Sequence, residues 1–401
     1  MYKRQKYIDR IVPFIDKPVI KVISGMRRTG KSTIMQLLVN YLIDSGVKNE
    51  LILFINMESL DYSHLSNFSE LYKFVREHKK KVGQKLYLFI DEVQEIKDWE
   101  KAVNSFFADS DADIFISGSN SKLLSGELAT LITGRYIELH VYPLVFSEFS
   151  QFRKKEMEFS HLFNEFLKFG GMPGIHHLEF KEPVIYQYLS AIKDSVMLKD
   201  VIKRNNIRDV ALLEKIIQFI FDNIGNTFSS RKIADYFKKE RRSLGHETVY
   251  NYLKYLENAF IVNRVSRFDL KGKKLLETNE KYYLTDIGLG HALLGYREKD
   301  INAYLENIVF IELLYRGYDV KIGKFEDYEV DFIAQKSNER IYIQVCYILA
   351  DEKVRNREMR PFHKINDNYP KYLLTMDSIP ESSEEGILRR YIPNWLMEKS
   401  N

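Results

Sequence analysis

The chain has 401 residues, 45% of them hydrophobic, 29% charged and 13% aromatic, with a formal net charge of +4. Only 9 Pro and 19 Gly occur, which excludes fibrous and disordered classes, and the length suits two to three domains. A single Cys excludes a disulfide framework within the chain and a Cys-based zinc finger, and it points to a reducing, cytoplasmic setting. No apolar run approaches the roughly 18 residues of a membrane span, and no leader-like apolar stretch follows Met1 to Lys6. No membrane partner is therefore expected.

Val19 to Ser24 reads as a short buried strand. A glycine turn follows, then a helix from Lys31 with apolar spacing at Ile34, Leu37, Leu38 and Tyr41. Leu51–Ile55, Leu86–Ile90 and Asp113–Ser117 are further apolar strands separated by helical stretches. Buried runs alternating with helices imply βαβ units and a parallel sheet over about residues 1–145.

The turn after the first strand, Gly25-Met26-Arg27-Arg28-Thr29-Gly30-Lys31-Ser32, fits the phosphate-loop pattern in full, with Thr33 following. Glycines let the backbone turn its N–H groups toward phosphates, and the helix N-terminus favours anions. Lys31 is the point charge for the β- and γ-phosphates of ATP, and the Ser32 hydroxyl is a ligand for Mg²⁺. The third strand ends in Asp91-Glu92, at the edge where open α/β sheets bind ligands. Asp91 is expected to hold Mg²⁺ through water, and Glu92 to polarise the attacking water. Adjacent acids favour hydrolysis over transfer to a small acceptor, so a small-molecule kinase is the weaker reading. Asn120, after the fourth strand, is a candidate γ-phosphate sensor, or a turn residue satisfied locally. Arg135 is a candidate arginine finger, in cis or across a subunit interface in a homo-oligomer, or else a surface Arg.

Residues 146–207 read as helical, broken at Phe169-Gly170-Gly171-Met172-Pro173-Gly174. Over residues 208–297, a helix after Ser229-Ser230, a second around Thr248–Leu256 and a hairpin near Phe268–Tyr283 outline a winged helix-turn-helix. Arg231–Lys281 carries a net charge of roughly +6, the footprint of phosphate-backbone binding. Arg231, Lys232, Lys271, Lys273 and Lys274 are the candidate DNA contacts; a solvated charged face is the alternative.

Residues 298–401 form an α/β unit of their own. Glu306 on a helix, Asp331 on a strand and Gln344-Val345-Cys346 on the next strand echo restriction-endonuclease-like folds. Such sites hold Mg²⁺ between acids and add an acid-x-Lys pair. Here Gln344 replaces the second acid and Cys346 the Lys, so the PD-(D/E)xK-like fold is expected without efficient cleavage.

The ordered set of motifs resembles prokaryotic AAA+ ATPases with a C-terminal domain of unknown function and nuclease-like fold. It comprises the phosphate loop, Phe89-Ile90-Asp91-Glu92-Val93-Gln94, Ser117-Gly118-Ser119-Asn120 and Leu131-Ile132-Thr133-Gly134-Arg135. It continues with Pro143–Phe149, Gly170-Gly171-Met172-Pro173 and Lys281–Leu289. The resemblance covers nearly the whole chain. It implies ATP binding, slow hydrolysis, and a winged helix between the ATPase and the C-terminal domain. Two functions follow as expectations: an ATPase that moves a DNA-binding arm, or a slow nucleotide switch that binds a protein partner.

Overall fold

The computed structural model describes residues 3–121, 134–153, 157–239, 245–272, 274–377 and 382–398. Leu131, Ile132, Thr133 and Lys273 lie outside the described residues. The chain divides into two compact units, Met1–Val141 with Asn258–Phe260, and Tyr142–Glu257 with Ile261–Asn401.

The first unit is a five-stranded sheet flanked by helices. Its strands are β1 (Ile20–Ser24), β2 (Ile52–Asn56), β3 (Leu86–Asp91), β4 (Ala112–Gly118) and β5 (Tyr136–His140), in the order β2-β3-β4-β1-β5. Every pairing is parallel. Helices α1 (Gln5–Ile11), α2 (Lys31–Asp44), α3 (Phe68–Val82) and α4 (Trp99–Ala108) complete it. The mainly apolar strands β1, β3 and β4 are buried throughout, as a sheet covered on both faces requires, apart from Tyr87, which is half-buried; the buried Lys21 of β1 and Asp113 of β4 pair with each other. Phe89 and Phe115 stack across β3 and β4 with ring centroids 4.3 Å apart. Because β4 lies between β1 and β3, Ser24, Gly118 and Asp91 end at one carboxyl edge.

The second unit begins with helices α5 (Phe146–Arg153), α6 (Phe159–Phe169) and α7 (Glu182–Val196), the last running into a π-helical turn at Met197–Lys203. Then come α8 (Val210–Asp222), β6 (Thr227–Phe228), α9 (Ser230–Lys239), α10 (His246–Asn258) and the hairpin of β7 (Val262–Asp269) and β8 (Lys274–Leu284). Helices α11 (Ile287–Leu294) and α12 (Ile301–Arg316) lead to β9 (Asp319–Phe325), β10 (Tyr328–Lys336) and β11 (Glu339–Cys346). The chain ends with α13 (Glu352–His363), β12 (Lys371–Thr375), β13 (Ser382–Glu384), β14 (Ile387–Tyr391) and α14 (Ile392–Met397).

The expected boundary at residue 297/298 does not interrupt the sheet. Strand β7 pairs in parallel with β9, so the hairpin and the C-terminal strands form one nine-stranded sheet. The expected glycine break is a stitch within the unit. Asp286 caps α11 through the Leu289 N–H at 3.3 Å and also accepts the Gly171 N–H at 2.6 Å. A Cβ on Gly171 would lie 2.0 Å from the Leu144 carbonyl oxygen, which is why only glycine fits there.

Candidate nucleotide site

The loop between β1 and α2 depends on unusual backbone angles. Gly25 has φ 145° and Gly30 φ 98°, and Arg28 holds a left-handed φ of 70°. A Cβ on Gly25 would lie 2.4 Å from the Val141 carbonyl, so the loop is packed tightly on the end of β5. Inside it, the Thr29 hydroxyl donates to the Met26 carbonyl at 2.8 Å. Lys31 is 3% exposed at the first turn of α2, and its Nζ donates to the same carbonyl at 3.2 Å. Ser32 is exposed and Thr33 half-buried on that turn.

The acids at the end of β3 face this loop. Lys31 Nζ lies 3.3 Å from Glu92 Oε1. Arg27 pairs with Glu58 at 2.7 Å and stands 4.0 Å from Glu92. The Ser119 hydroxyl donates to Glu92 at 3.1 Å, and the Gln94 amide also donates to it. Burial alone would raise the Glu92 pKa, but Lys31 and Arg27 outweigh it and hold the carboxyl below its ordinary value. Glu92 sits at φ 55°, a strained conformation for a non-glycine residue, just beyond the last strand residue. Its neighbour behaves oppositely. Burial pushes the Asp91 pKa up, against hydrogen bonds from the Ser117 and Ser32 hydroxyls. The Glu92 N–H donates to Ser117 Oγ at 3.0 Å, so one serine ties both acids to β4. Asn120 is buried just after β4, next to Ser119.

Thus the structure brings together Gly25, Arg27, Thr29, Gly30, Lys31, Ser32, Asp91 and Glu92. Arg135 is not among them. Its carbonyl accepts the Ile20 N–H at 2.8 Å, at the amino end of β1, while the loop follows the carboxyl end. The strand rise puts roughly 15 Å between those edges. Arg135 is exposed, and its guanidinium lies 5.6 Å from the Phe107 ring. A finger acting in cis does not fit. Two participants were not foreseen. Arg4 donates to the Thr29 carbonyl at 3.0 Å from a segment 25 residues earlier. His140, at the end of β5, lies 3.0 Å from Ser24 Oγ, and desolvation with the nearby Lys31 pushes its pKa down to about 4.

The acids of the C-terminal segment also converge, but around an ammonium group. Lys281 of β8 is 2.9 Å from Glu306, 2.7 Å from Glu329 and 3.8 Å from Asp331. Burial alone would lower the Lys281 pKa, but Glu306, Asp331 and Glu329 raise it well above normal. Tyr283 also donates to Glu306. A register shift in β10 between Val330 and Ile333 carries Asp331, whose carboxylate accepts the Val345 N–H at 2.8 Å. Gln344 is a bridge: it accepts the Asp331 N–H at 3.3 Å and donates to Glu358 at 2.9 Å. Cys346 is buried in an apolar cluster, its pKa raised to about 11 by burial. Among the described residues no group of three or more His, Cys, Asp and Glu is arranged to hold a metal ion.

Of the candidate DNA contacts, Arg231, Lys232, Lys271 and Lys274 are exposed, with Lys271 paired to Glu326 at 2.7 Å. Among the described residues no helix is long and apolar enough to cross a membrane.

A family model described as an AAA domain matches residues 17–150, and one described as a domain of unknown function matches residues 160–300. A solved Walker-type ATPase of Pyrococcus abyssi superposes with a TM-score of 0.52 over 73% of this chain and 96% of that one, at 15% identity, a likeness of fold. An uncharacterized protein of Methanocaldococcus jannaschii is 32% identical over 90% of this chain and 82% of its own. An uncharacterized protein of Haemophilus influenzae is 37% identical over 99% of both chains. The chain belongs to the family of these two proteins and carries an AAA-type P-loop ATPase fold in its N-terminal unit.

Proposed function

We propose that this chain hydrolyses ATP and couples nucleotide state to its second unit, acting on DNA. The observation that carries the reading is the Lys31–Glu92 pair, with Asp91 and Ser32 beside it. In this arrangement Lys31 is held by Glu92 and the Met26 carbonyl. Phosphates arriving in the loop compete for that ammonium and release Glu92 to its other partners, Ser119, Gln94 and Arg27. Glu92, still held by Arg27 and by hydrogen bonds from Gln94 and Ser119, then accepts a proton from water attacking the γ-phosphate. The Ser32 hydroxyl and the Asp91 carboxylate are the hard oxygen donors that Mg²⁺ prefers, and they are already hydrogen-bonded to each other. Bound there, Mg²⁺ would neutralise phosphate charge. Asn120 and Thr33 remain candidate phosphate contacts, and Arg135 a finger only toward another subunit.

We read residues 146–207 as a helical lid, 208–297 as a winged helix and 298–401 as a nuclease-like fold without efficient cleavage. The order α9, α10, β7–β8 supports the second assignment. Lys281 among Glu306, Glu329 and Asp331 supports the third. Steady-state ATP hydrolysis tests the proposal. Lys31→Ala should abolish turnover, and Glu92→Gln should bind ATP without hydrolysing it. Double-stranded DNA should raise the wild-type rate, and salt should reverse the increase.

A slow switch with a protein partner is the second reading, and one observation favours it. Part of the basic excess is neutralised internally: Lys281 is buried among acids, Arg264 lies 3.1 Å from both Glu257 and Glu280, and Lys271 pairs with Glu326. A low rate indifferent to DNA would decide for it.

A further inference from the structure

A guanidinium from outside the phosphate loop holds one of its peptides. Arg4 precedes α1 and is 3% exposed. Its Nη1 donates to the Thr29 carbonyl at 3.0 Å and its Nη2 to the Tyr7 hydroxyl at 3.2 Å. The guanidinium carbon lies 4.5 Å from the centroid of the Tyr7 ring, which is itself buried. Two hydrogen bonds and a cation–π contact therefore fix this side chain.

The Thr29 carbonyl and the Gly30 N–H belong to one planar trans peptide, in which the two groups point in opposite directions. Holding the oxygen on the Arg4 side turns the Gly30 N–H to the other side. Gly30 has φ 98°, and glycine alone offers little resistance to a flip of that peptide. Arg4 also borders Gly30 itself: a Cβ on Gly30 would meet Arg4 Nη1 at an ordinary contact distance of 3.9 Å. We propose that Arg4 is a positioning residue for nucleotide binding, fixing the 29–30 peptide so that the Gly30 N–H is presented to phosphate. The proposal rests on the reading of this loop as an ATP site.

The test is calorimetric titration of the full chain with ATP and Mg²⁺, with turnover measured in parallel. Arg4→Ala should weaken ATP binding about tenfold or more, the effect expected when a preorganised anion contact is lost. The rate at saturating ATP should change less than about threefold, because the peptide is set before the chemical step. Arg4→Lys, which keeps the charge and one donor but loses the fork and the stacking, should recover part of the affinity. Arg4→Gln keeps a donor without charge and serves if Arg4→Ala does not fold. In a Trp395→Phe background, Trp99 fluorescence reports folding of the N-terminal unit in each variant. Unchanged ATP affinity in folded Arg4→Ala would overturn the proposal, as would a defect confined to the saturated rate. A wild-type chain that binds no ATP, or binds it as well as Lys31→Ala does, would sink the ATP reading instead.

Discussion

Lys281 is 4% exposed, and its ammonium faces Glu306, Glu329 and Asp331. Truncating it leaves these carboxyls without their cation, and Glu306 and Asp331 are buried. Breaking a buried ion pair from one side costs about 3–5 kcal/mol, mostly through the charge left behind. Lys281→Ala should lower stability by about that much, read in a Trp99→Phe background as a shift of the urea midpoint of Trp395 fluorescence. A loss below about 1 kcal/mol would mean that the acids take up protons or rearrange at little cost. Both Lys281 and Arg4 were hidden in the sequence for the same reason. Arg4 and the Thr29 carbonyl are 25 residues apart, and so are Lys281 and Glu306. Lys281 sits in a run that counts as basic surface, and only the β8 register shows that it points inward. The loop residues were legible because one local turn fixes all their positions. Only the cis option for Arg135 fails, because spacing after a helix does not say at which end of a strand a residue lies.

Elements declared themselves where burial was continuous. The strands β1, β3 and β4 are mainly apolar and buried along their length, with Tyr87 the half-buried exception and the buried Lys21–Asp113 pair the charged one, and the sequence pattern suffices for them. Strand β5 is an edge strand of mixed polarity, Tyr136-Ile137-Glu138-Leu139-His140, and only Leu139 is buried. Nothing in its periodicity distinguishes it from a loop. The parallel β7–β9 pairing was illegible too, since it joins segments about fifty residues apart. The glycines at 170–171 read as a bend, but their tolerance of change is set by neighbours. Gly171→Ala puts a Cβ 2.0 Å from a backbone oxygen and should cost about 3 kcal/mol or more. Gly83→Ala, at φ 69° with nothing within 4 Å, should cost about 1 kcal/mol. Equal urea midpoints for the two variants would refute the packing argument. His176 offers a pH-dependent case. It sits 4.8 Å from Phe149, 5.4 Å from Phe152 and 5.5 Å from Phe180, and burial, with Arg153 nearby, pushes its pKa down to about 3. Below an unfolded value of 6.5, the unfolded chain takes a proton that the folded chain refuses, so His176 costs stability as pH falls toward 3. His176→Phe should gain about 3 kcal/mol on the wild type between pH 7.5 and pH 4.5. A stability difference that is flat with pH would show that the ring is protonated in the fold.

At the scale of the whole molecule, the two compact units each carry one tryptophan, Trp99 in the first and Trp395 in the second, and both are buried. The phosphate loop, Asp91, Glu92 and Arg4 all belong to the first unit. A ligand stabilises the state it binds by RT ln(1 + [L]/Kd), about 2.7 kcal/mol at a hundredfold excess over Kd. ATP with Mg²⁺, added to Glu92→Gln to suppress turnover, should therefore raise the thermal midpoint reported by Trp99. Trp395→Phe and Trp99→Phe in that background separate the two signals. The rise should vanish with Lys31→Ala, which removes the phosphate charge partner, and shrink with Arg4→Ala, which leaves Lys31 in place. A rise seen through Trp395 and not through Trp99 would put the ligand outside the β1–α2 loop. A rise seen through both would show that the units unfold together, so that energy from nucleotide binding reaches the nine-stranded sheet. The proposed coupling requires such a path.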